Sequence, residues 1–188
     1  MASADGGGAR PGAFLDRDGT ILDDPGFLHE PAKTRLLPGA ARAVARLNGA
    51  GFLVVTVSNQ SGIGRGRYTV EDYQAVGRRM SELLAAEGAR IDGSYHCPHY
   101  PPVSGPCECR KPGTKLFHEA QRAMHIDFTR SWWLGDRITD VAPARELGGR
   151  AVLVLTGYGN IHQGQARALG TGVAPDLAAA VDAILSVT

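Results

Sequence analysis

The sequence predicts a doubly wound α/β fold, a mainly parallel sheet with helices on both faces, and three observations carry that prediction. Short apolar runs, Ala13-Phe14-Leu15, FLVVTV (Phe52 to Val57) and AVLVL (Ala151 to Leu155), stop at polar or charged residues, as buried parallel strands do. The segments between them place apolar residues at helical spacing. Strand and helix alternate along the chain, the pattern of consecutive βαβ units.

Met1 to Gly12, MASADGGGARPG, is expected to be a disordered extension, because Gly, Ala and Ser offer little to bury. One domain is expected from residue 13 to 188. After the first strand, Pro38 to Ala50 carries Ala40, Val44 and Leu47 on one helical face, with Pro38 suited to a first turn and Gly51 to a stop. Phe52 to Val57 is the second strand. Tyr73, Val76, Met80, Leu83 and Leu84 then share a helical face, and Thr69 stands three residues before Asp72 as a capping box requires. Tyr95-His96-Cys97 reads as a short strand, Thr114 to His125 as a helix, and Ser131 to Leu134 as a strand. Adjacent Trp132 and Trp133 in that strand must point to opposite faces, so both read as packing residues. Ala142 to Leu147 is helical, Ala151 to Leu155 is a late strand, and Pro175 to Leu185 closes the chain with Leu177, Val181 and Ile184 on one face.

A chain of 188 residues with 43% hydrophobic content suits one domain with a sizeable core. Its 20 Lys and Arg nearly balance 19 Asp and Glu, so net charge announces no nucleic-acid partner, and any anion site must be local. No segment reads as a secretory signal or is long enough to span a bilayer. A cytoplasmic monomer without a membrane or nucleic-acid partner is expected.

In doubly wound sheets the ligand crevice lies at the carboxyl ends of the strands. The residues that follow the strands here are DRDGT (Asp16 to Thr20), Ser58-Asn59-Gln60 and GDRITD, with Asp136 and Asp140. Three carboxylates, Asp16, Asp18 and Asp136, would repel in one crevice unless a cation sat among them, and an oxygen-only set favours Mg²⁺, with Asp140 available behind it. Phosphoryl transfer to a carboxylate suits this set. Asp16 is the expected nucleophile and Asp18 the general acid and then general base, while the Ser58 hydroxyl and the Lys111 ammonium hold the non-bridging oxygens. Solvated acids in turns would explain either acidic motif alone, but the four pieces in order are far more specific.

All three cysteines lie between positions 97 and 109. Cys97-Pro98-His99, seven residues, then Cys107-Glu108-Cys109 supplies three thiolates and one imidazole, a closed tetrahedral shell for structural Zn²⁺. Such a site would fold the Pro-rich Tyr100 to Pro106 loop, which lacks helix or strand periodicity, and fix Arg110 and Lys111 over the crevice.

DRDGT, VSN, RKP and GDRITD resemble the four motifs of the haloacid dehalogenase (HAD) phosphatase superfamily, over nearly the whole chain after the first dozen residues. Within it, FLDRDGTI, GFLVVTVSNQSGIGRG, CPH followed by CECRKP, and VLVLTGYG are most similar to the heptose-bisphosphate phosphatases. The resemblance implies a Rossmann-like HAD fold with a small zinc-stabilised loop and no large cap domain. It also implies removal of the 7-phosphate from D-glycero-D-manno-heptose 1,7-bisphosphate. Carried across by motif, the substrate contacts would be Asp24, Gly26 and Phe27, then Ser58, Asn59, Gln60 and Ser61, then Arg110, Lys111 and Arg137. Two departures appear: Pro25 and Phe27 stand where relatives often have polar residues, and Arg137 where Lys is frequent.

Histidinol-phosphate phosphatases share the fold, the motifs and a similar zinc loop, and GDRITD is reminiscent of them, whereas SNQSGIGRGRYT is not. A non-catalytic, zinc-stabilised binder of phosphorylated ligands is the alternative of another class. Gly62, Gly64 and Gly66 do not make GxGxxG, so that stretch is expected to be a flexible loop near the phosphate rather than a dinucleotide site.

Overall fold

Among the described residues of the computed structural model, 8–187, strands β1 (Arg10–Leu15), β2 (Leu53–Asn59), β3 (Gly93–Cys97), β4 (Ile126–Gly135), β5 (Arg150–Val154) and β6 (Gly172–Ala174) form one sheet. All pairs are parallel, in the order β3-β2-β1-β4-β5-β6. The order reverses beside β1, which is where such sheets open a crevice at their carboxyl ends. The helices are α1 (Ala40–Gly49), α2 (Ser61–Gly64), α3 (Val70–Ala85), α4 (Pro101–Ser104), α5 (Lys115–Met124), α6 (Ile138–Val141), α7 (Pro143–Leu147), α8 (Gly159–Ala168) and α9 (Leu177–Leu185).

Alternation along the strands separates two cores. Leu15, Val54, Leu134, Val152 and Val154 face α1, α3 and α9 on one side. Phe14, Val55, Val57 and Trp133 face Phe117 of α5 and Ala144 of α7 on the other. The expected split of the two tryptophans is present: Trp132 packs at the edge of the first core and Trp133 lies wholly inside the second, stacked on Phe14 with ring centroids 4.7 Å apart. Helix α3 starts with the expected capping box, Thr69 accepting from the Asp72 N–H while Asp72 accepts from the Thr69 N–H. Tyr73, Val76, Met80 and Leu84 are its buried stripe, and Leu83 is only half-buried.

Several boundaries differ from the sequence reading. β1 begins at Arg10, so residues 10–12 are strand rather than extension; residues 1–7 of that expected extension lie outside the described residues. Long-range hydrogen bonds fix these residues where composition offered no signal: the Arg10 guanidinium donates to the Gly51 carbonyl at 2.9 Å and the Gly12 N–H to Ser131 Oγ at 2.8 Å. β4 extends five residues before Ser131, with a register shift against β1 between Pro11 and Ala13. The Pro-rich loop contains the single turn α4, which two prolines initiate. α8 and β6 complete the far edge of the sheet. Their small polar residues hide both elements from pattern reading, and only Gly159, Ala166 and Ala174 are buried in them. The stretch with Gly62 and Gly64 is helix α2, not a flexible loop. A Cβ at Gly62 would sit 2.0 Å from the Tyr68 ring, and one at Gly64 would sit 2.7 Å from the Pro98 carbonyl oxygen, so these glycines permit close packing.

Candidate active site

A cavity of about 760 Å³ opens at the carboxyl ends of β1, β2 and β4. Asp16 follows β1 directly, and its N–H donates to the Leu134 carbonyl of β4 at 2.9 Å. Lys111 reaches it from beneath. This ammonium, buried with 3% exposure, stands 2.7 Å from Asp16 Oδ1 and 2.8 Å from Asp140 Oδ1, and donates also to the Val57 carbonyl. Burial alone would lower the Lys111 pKa, but the Asp140 and Asp16 charges outweigh it and hold the ammonium above its ordinary range. Asn59 sets the backbone of Lys111 like a strand partner, its Oδ1 accepting from the Lys111 N–H at 2.9 Å and its Nδ2 donating to the carbonyl at 3.1 Å. Asn59→Ala removes both bonds and should lower kcat about tenfold with little change in KM for a small ester, the cost of mispositioning a charge used in the transition state. A rise in KM at constant kcat would instead make Asn59 a substrate contact.

Asp16, Asp136 and Asp140 bring carboxylate oxygens within 4.8 Å of one another, and all three are buried. Burial pushes the Asp16 pKa up to about 8, with Asp140, Asp18 and Asp136 adding to the rise and Lys111 opposing it. Asp136 is raised to about 6, again chiefly by burial, against the hydrogen bond its Oδ2 accepts from the Tyr158 N–H at 2.7 Å. Its Oδ1 is buried with no hydrogen-bond partner. Gly19 and Gly157, both at positive φ, press against this carboxylate, where a Cβ on either would come within 2.6 Å of Oδ2. An orphaned oxygen in a crowded, all-oxygen acidic pocket fits a small divalent cation, which would relieve the repulsion.

Asp18 departs from the expected carboxylate set. Its carboxylate is drawn aside by the buried Arg17 guanidinium, at 3.0 Å from both Nε and Nη2, and by Gln60 Nε2 at 2.7 Å. Asp140, expected behind the cluster, takes its place within it. Gln60 also donates to Ser58 Oγ at 2.8 Å and accepts from the Tyr68 hydroxyl at 2.5 Å, so Asp18 and Ser58 are held by one amide. Arg17, Gln60 and Tyr68 as a positioning network were not visible in sequence: nothing local marks Arg17 as more than a residue between two acids.

Cys97, His99, Cys107 and Cys109 converge as expected, with Cys97 Sγ 3.1 Å from Cys109 Sγ and 3.7 Å from Cys107 Sγ, and His99 Nδ1 3.1 Å from Cys109 Sγ. No disulfide joins the three thiols. The cluster is tied to the crevice through the backbone: the Gln60 N–H donates to the Cys97 carbonyl at 2.8 Å, and the Gly64 N–H to that of Pro98 at 2.9 Å. The donor set and its tetrahedral closeness fit Zn²⁺.

The family model described as HAD-hydrolase-like matches residues 108–180. A D-glycero-beta-D-manno-heptose-1,7-bisphosphate 7-phosphatase of Yersinia pestis is 40% identical over 164 residues, 84% of this chain and 87% of the relative. The D-glycero-D-manno-heptose-1,7-bisphosphate 7-phosphatase of Thermosynechococcus vestitus is 38% identical over 185 residues, 92% of this chain and 94% of the relative. The chain belongs to the heptose-bisphosphate phosphatase family of HAD-like hydrolases. A solved member, the D,D-heptose 1,7-bisphosphate phosphatase of B. bronchiseptica complexed with magnesium and phosphate, superposes with a TM-score of 0.86 at 33% identity, over 95% of this chain and 99% of its own. A phosphoric monoester hydrolase on a Rossmann-like HAD sheet is therefore the enzyme class, as the motifs implied.

The residues carried over from the heptose-bisphosphate phosphatases all line the one cavity: Asp24, Gly26, Phe27, Ser58, Asn59, Gln60, Ser61, Arg110, Lys111 and Arg137. Asp24 spends one oxygen on the Gly26 N–H at 2.8 Å, forming a turn that presents Phe27, itself at φ 55°, on the rim. Arg137 stacks on Tyr158, 3.7 Å from its ring centroid, and Arg65 on Tyr100 at 3.8 Å. Arg65, Tyr68, Thr139 and Tyr158 line the cavity as well, besides the contacts carried over. No helix among the described residues is long and apolar enough to cross a membrane.

Proposed function

We propose that the chain hydrolyses the 7-phosphate of D-glycero-D-manno-heptose 1,7-bisphosphate by way of a phosphorylated Asp16. The observation that carries this reading is the distribution of cations around one cavity. Lys111 is spent on Asp16 and Asp140 beside the nucleophile, whereas Arg65, Arg110 and Arg137 line the same cavity with no carboxylate paired to them among the described residues. One phosphate occupies the first position, and a second phosphate on the same molecule matches the second. The relatives named above are bisphosphate phosphatases, which supports the assignment.

Asp16 attacks phosphorus and the ester P–O bond breaks. Asp18, two residues on, gives its proton to the departing alkoxide, then takes one from the water that cleaves the acyl phosphate, so that Asp16 and inorganic phosphate are released. Ser58 and Lys111 hold non-bridging oxygens, and Asn59 keeps Lys111 aimed. Asp16, Asp136 and Asp140 would hold Mg²⁺, which when bound would neutralise phosphate oxygens. Cys97, His99, Cys107 and Cys109 would hold Zn²⁺ with no position left for chemistry.

Arg110→Ala should reduce kcat/KM for the heptose bisphosphate by about 10- to 150-fold, the worth of charge-assisted hydrogen bonds. Its effect on histidinol phosphate or p-nitrophenyl phosphate should stay within about threefold. Equal losses on all three esters would return Arg110 to the common phosphate pocket and leave the bisphosphate assignment without support.

A further inference from the structure

A second cavity of about 740 Å³ lies between α3 and the free-edge side of the sheet, and shares no lining residue with the catalytic one. Three independent features mark it. Arg17 forms its inner wall, and while Nε and Nη2 bind Asp18, Nη1 is buried with no hydrogen-bond partner. An orphaned guanidinium N–H is costly unless something accepts from it. Gly77 stands in the middle of α3, where glycine is a poor helix former, yet a Cβ there would meet nothing within 4 Å. Its absence only widens the cavity. Arg78 beside it has no ion-pair partner among the described residues, and the acid of this wall, Glu82, is taken by Arg79 at 2.9 Å. The remainder of the lining is Tyr73, whose ring contacts both Arg17 and His96, with Gln74, Met80, Ser81, Ala85 and the Thr56 and Ser94 hydroxyls.

We propose that this cavity is a second ligand site, for a small organic anion with an apolar body. Arg78 and the free Nη1 of Arg17 take the anionic group, and the Gly77, Met80 and Ala85 side takes the body. The cationic rim and apolar wall select such a molecule over an inorganic ion, which would leave the wall wet, and over a neutral one, which would leave the Arg78 charge without a counter-charge. Because the same guanidinium holds Asp18, occupancy here reaches the catalytic crevice through one side chain.

The test is a fluorescence titration of the intact protein with 8-anilinonaphthalene-1-sulfonate, with and without saturating Mg²⁺ and inorganic phosphate. One equivalent should bind saturably and survive phosphate. Gly77→Leu, which fills the cavity and improves the helix, and Arg78→Ala should each weaken binding at least tenfold, while dye-free p-nitrophenyl phosphate turnover stays within twofold of wild type. Neutral N-phenyl-1-naphthylamine should bind at least tenfold more weakly, and the bound sulfonate should change wild-type kcat at least twofold but not that of Gly77→Leu. Absence of saturable binding, displacement by phosphate, or undiminished binding to Gly77→Leu would overturn the site. Equal affinity for the neutral dye would overturn its anionic selectivity, and unchanged kcat at saturation the link through Arg17.

Discussion

Asp16→Asn should lower kcat for any phosphomonoester by at least about three orders of magnitude and leave the fold intact. An amide has the shape of the carboxylate but cannot displace an alkoxide from phosphorus. Stability should not suffer, because burial and three neighbouring acids already disfavour a negative charge at this position. Lys111 keeps its second partner, Asp140, at 2.8 Å. Single-turnover and steady-state assays with p-nitrophenyl phosphate and Mg²⁺, beside a thermal melt, measure both halves. Retention of even a tenth of wild-type kcat would remove Asp16 from the nucleophile role, and a collapse of the melting temperature would show that its charge holds the site together.

Withdrawal of the metal from the cysteine cluster should have the largest effect on stability. Cys97 is wholly buried and its thiol is pushed up to about 12, first by burial and then by its hydrogen bond with Cys109, so without a metal this sulfur stays protonated where a ligand thiolate is needed. Cys107→Ser, at a half-buried position, should destabilise the protein by about 4 kcal/mol or more, in the range that loss of a metal site produces. Activity should fall roughly 10- to 100-fold with it, the scale on which supporting groups act, because Arg110 and Lys111 follow Cys109 directly. Calorimetry and kcat/KM on metal-analysed protein decide the matter: unchanged melting and kinetics in a zinc-free sample would make the cluster incidental.

Sequence reading reached the sheet's central strands and the reactive acids for a common physical reason. A buried parallel strand reads as a near-continuous apolar run, so the polar residues at its carboxyl end mark both its limit and, by topology, the crevice; Asp16, Ser58 and Asp136 are all found this way. The convergence of Cys97, His99, Cys107 and Cys109 was legible because four potential metal ligands of this kind rarely fall so close in a chain by chance. β6 and α8 were not, since three residues of edge strand and a helix half open to solvent carry little hydrophobic signal. The orientation of Asp18 was equally hidden. It is decided by Arg17, Gln60 and Tyr68, and the last two lie more than 40 positions away. The bonds from Asn59 to the Lys111 backbone were hidden likewise, since that partner lies 52 residues on.

The hydrogen bond from the Asp16 N–H to the Leu134 carbonyl locks the carboxyl ends of β1 and β4 at the standard spacing of neighbouring strands, about 4.8 Å. The main-chain anchors of Asp16 and Asp136 are therefore held at a distance that the sheet itself sets. Gly19 and Gly157 leave room for the Asp136 carboxylate that a Cβ on either would take. A substitution among the surrounding side chains can turn either carboxylate, but it leaves the spacing of the two anchors to the hydrogen-bonded strands.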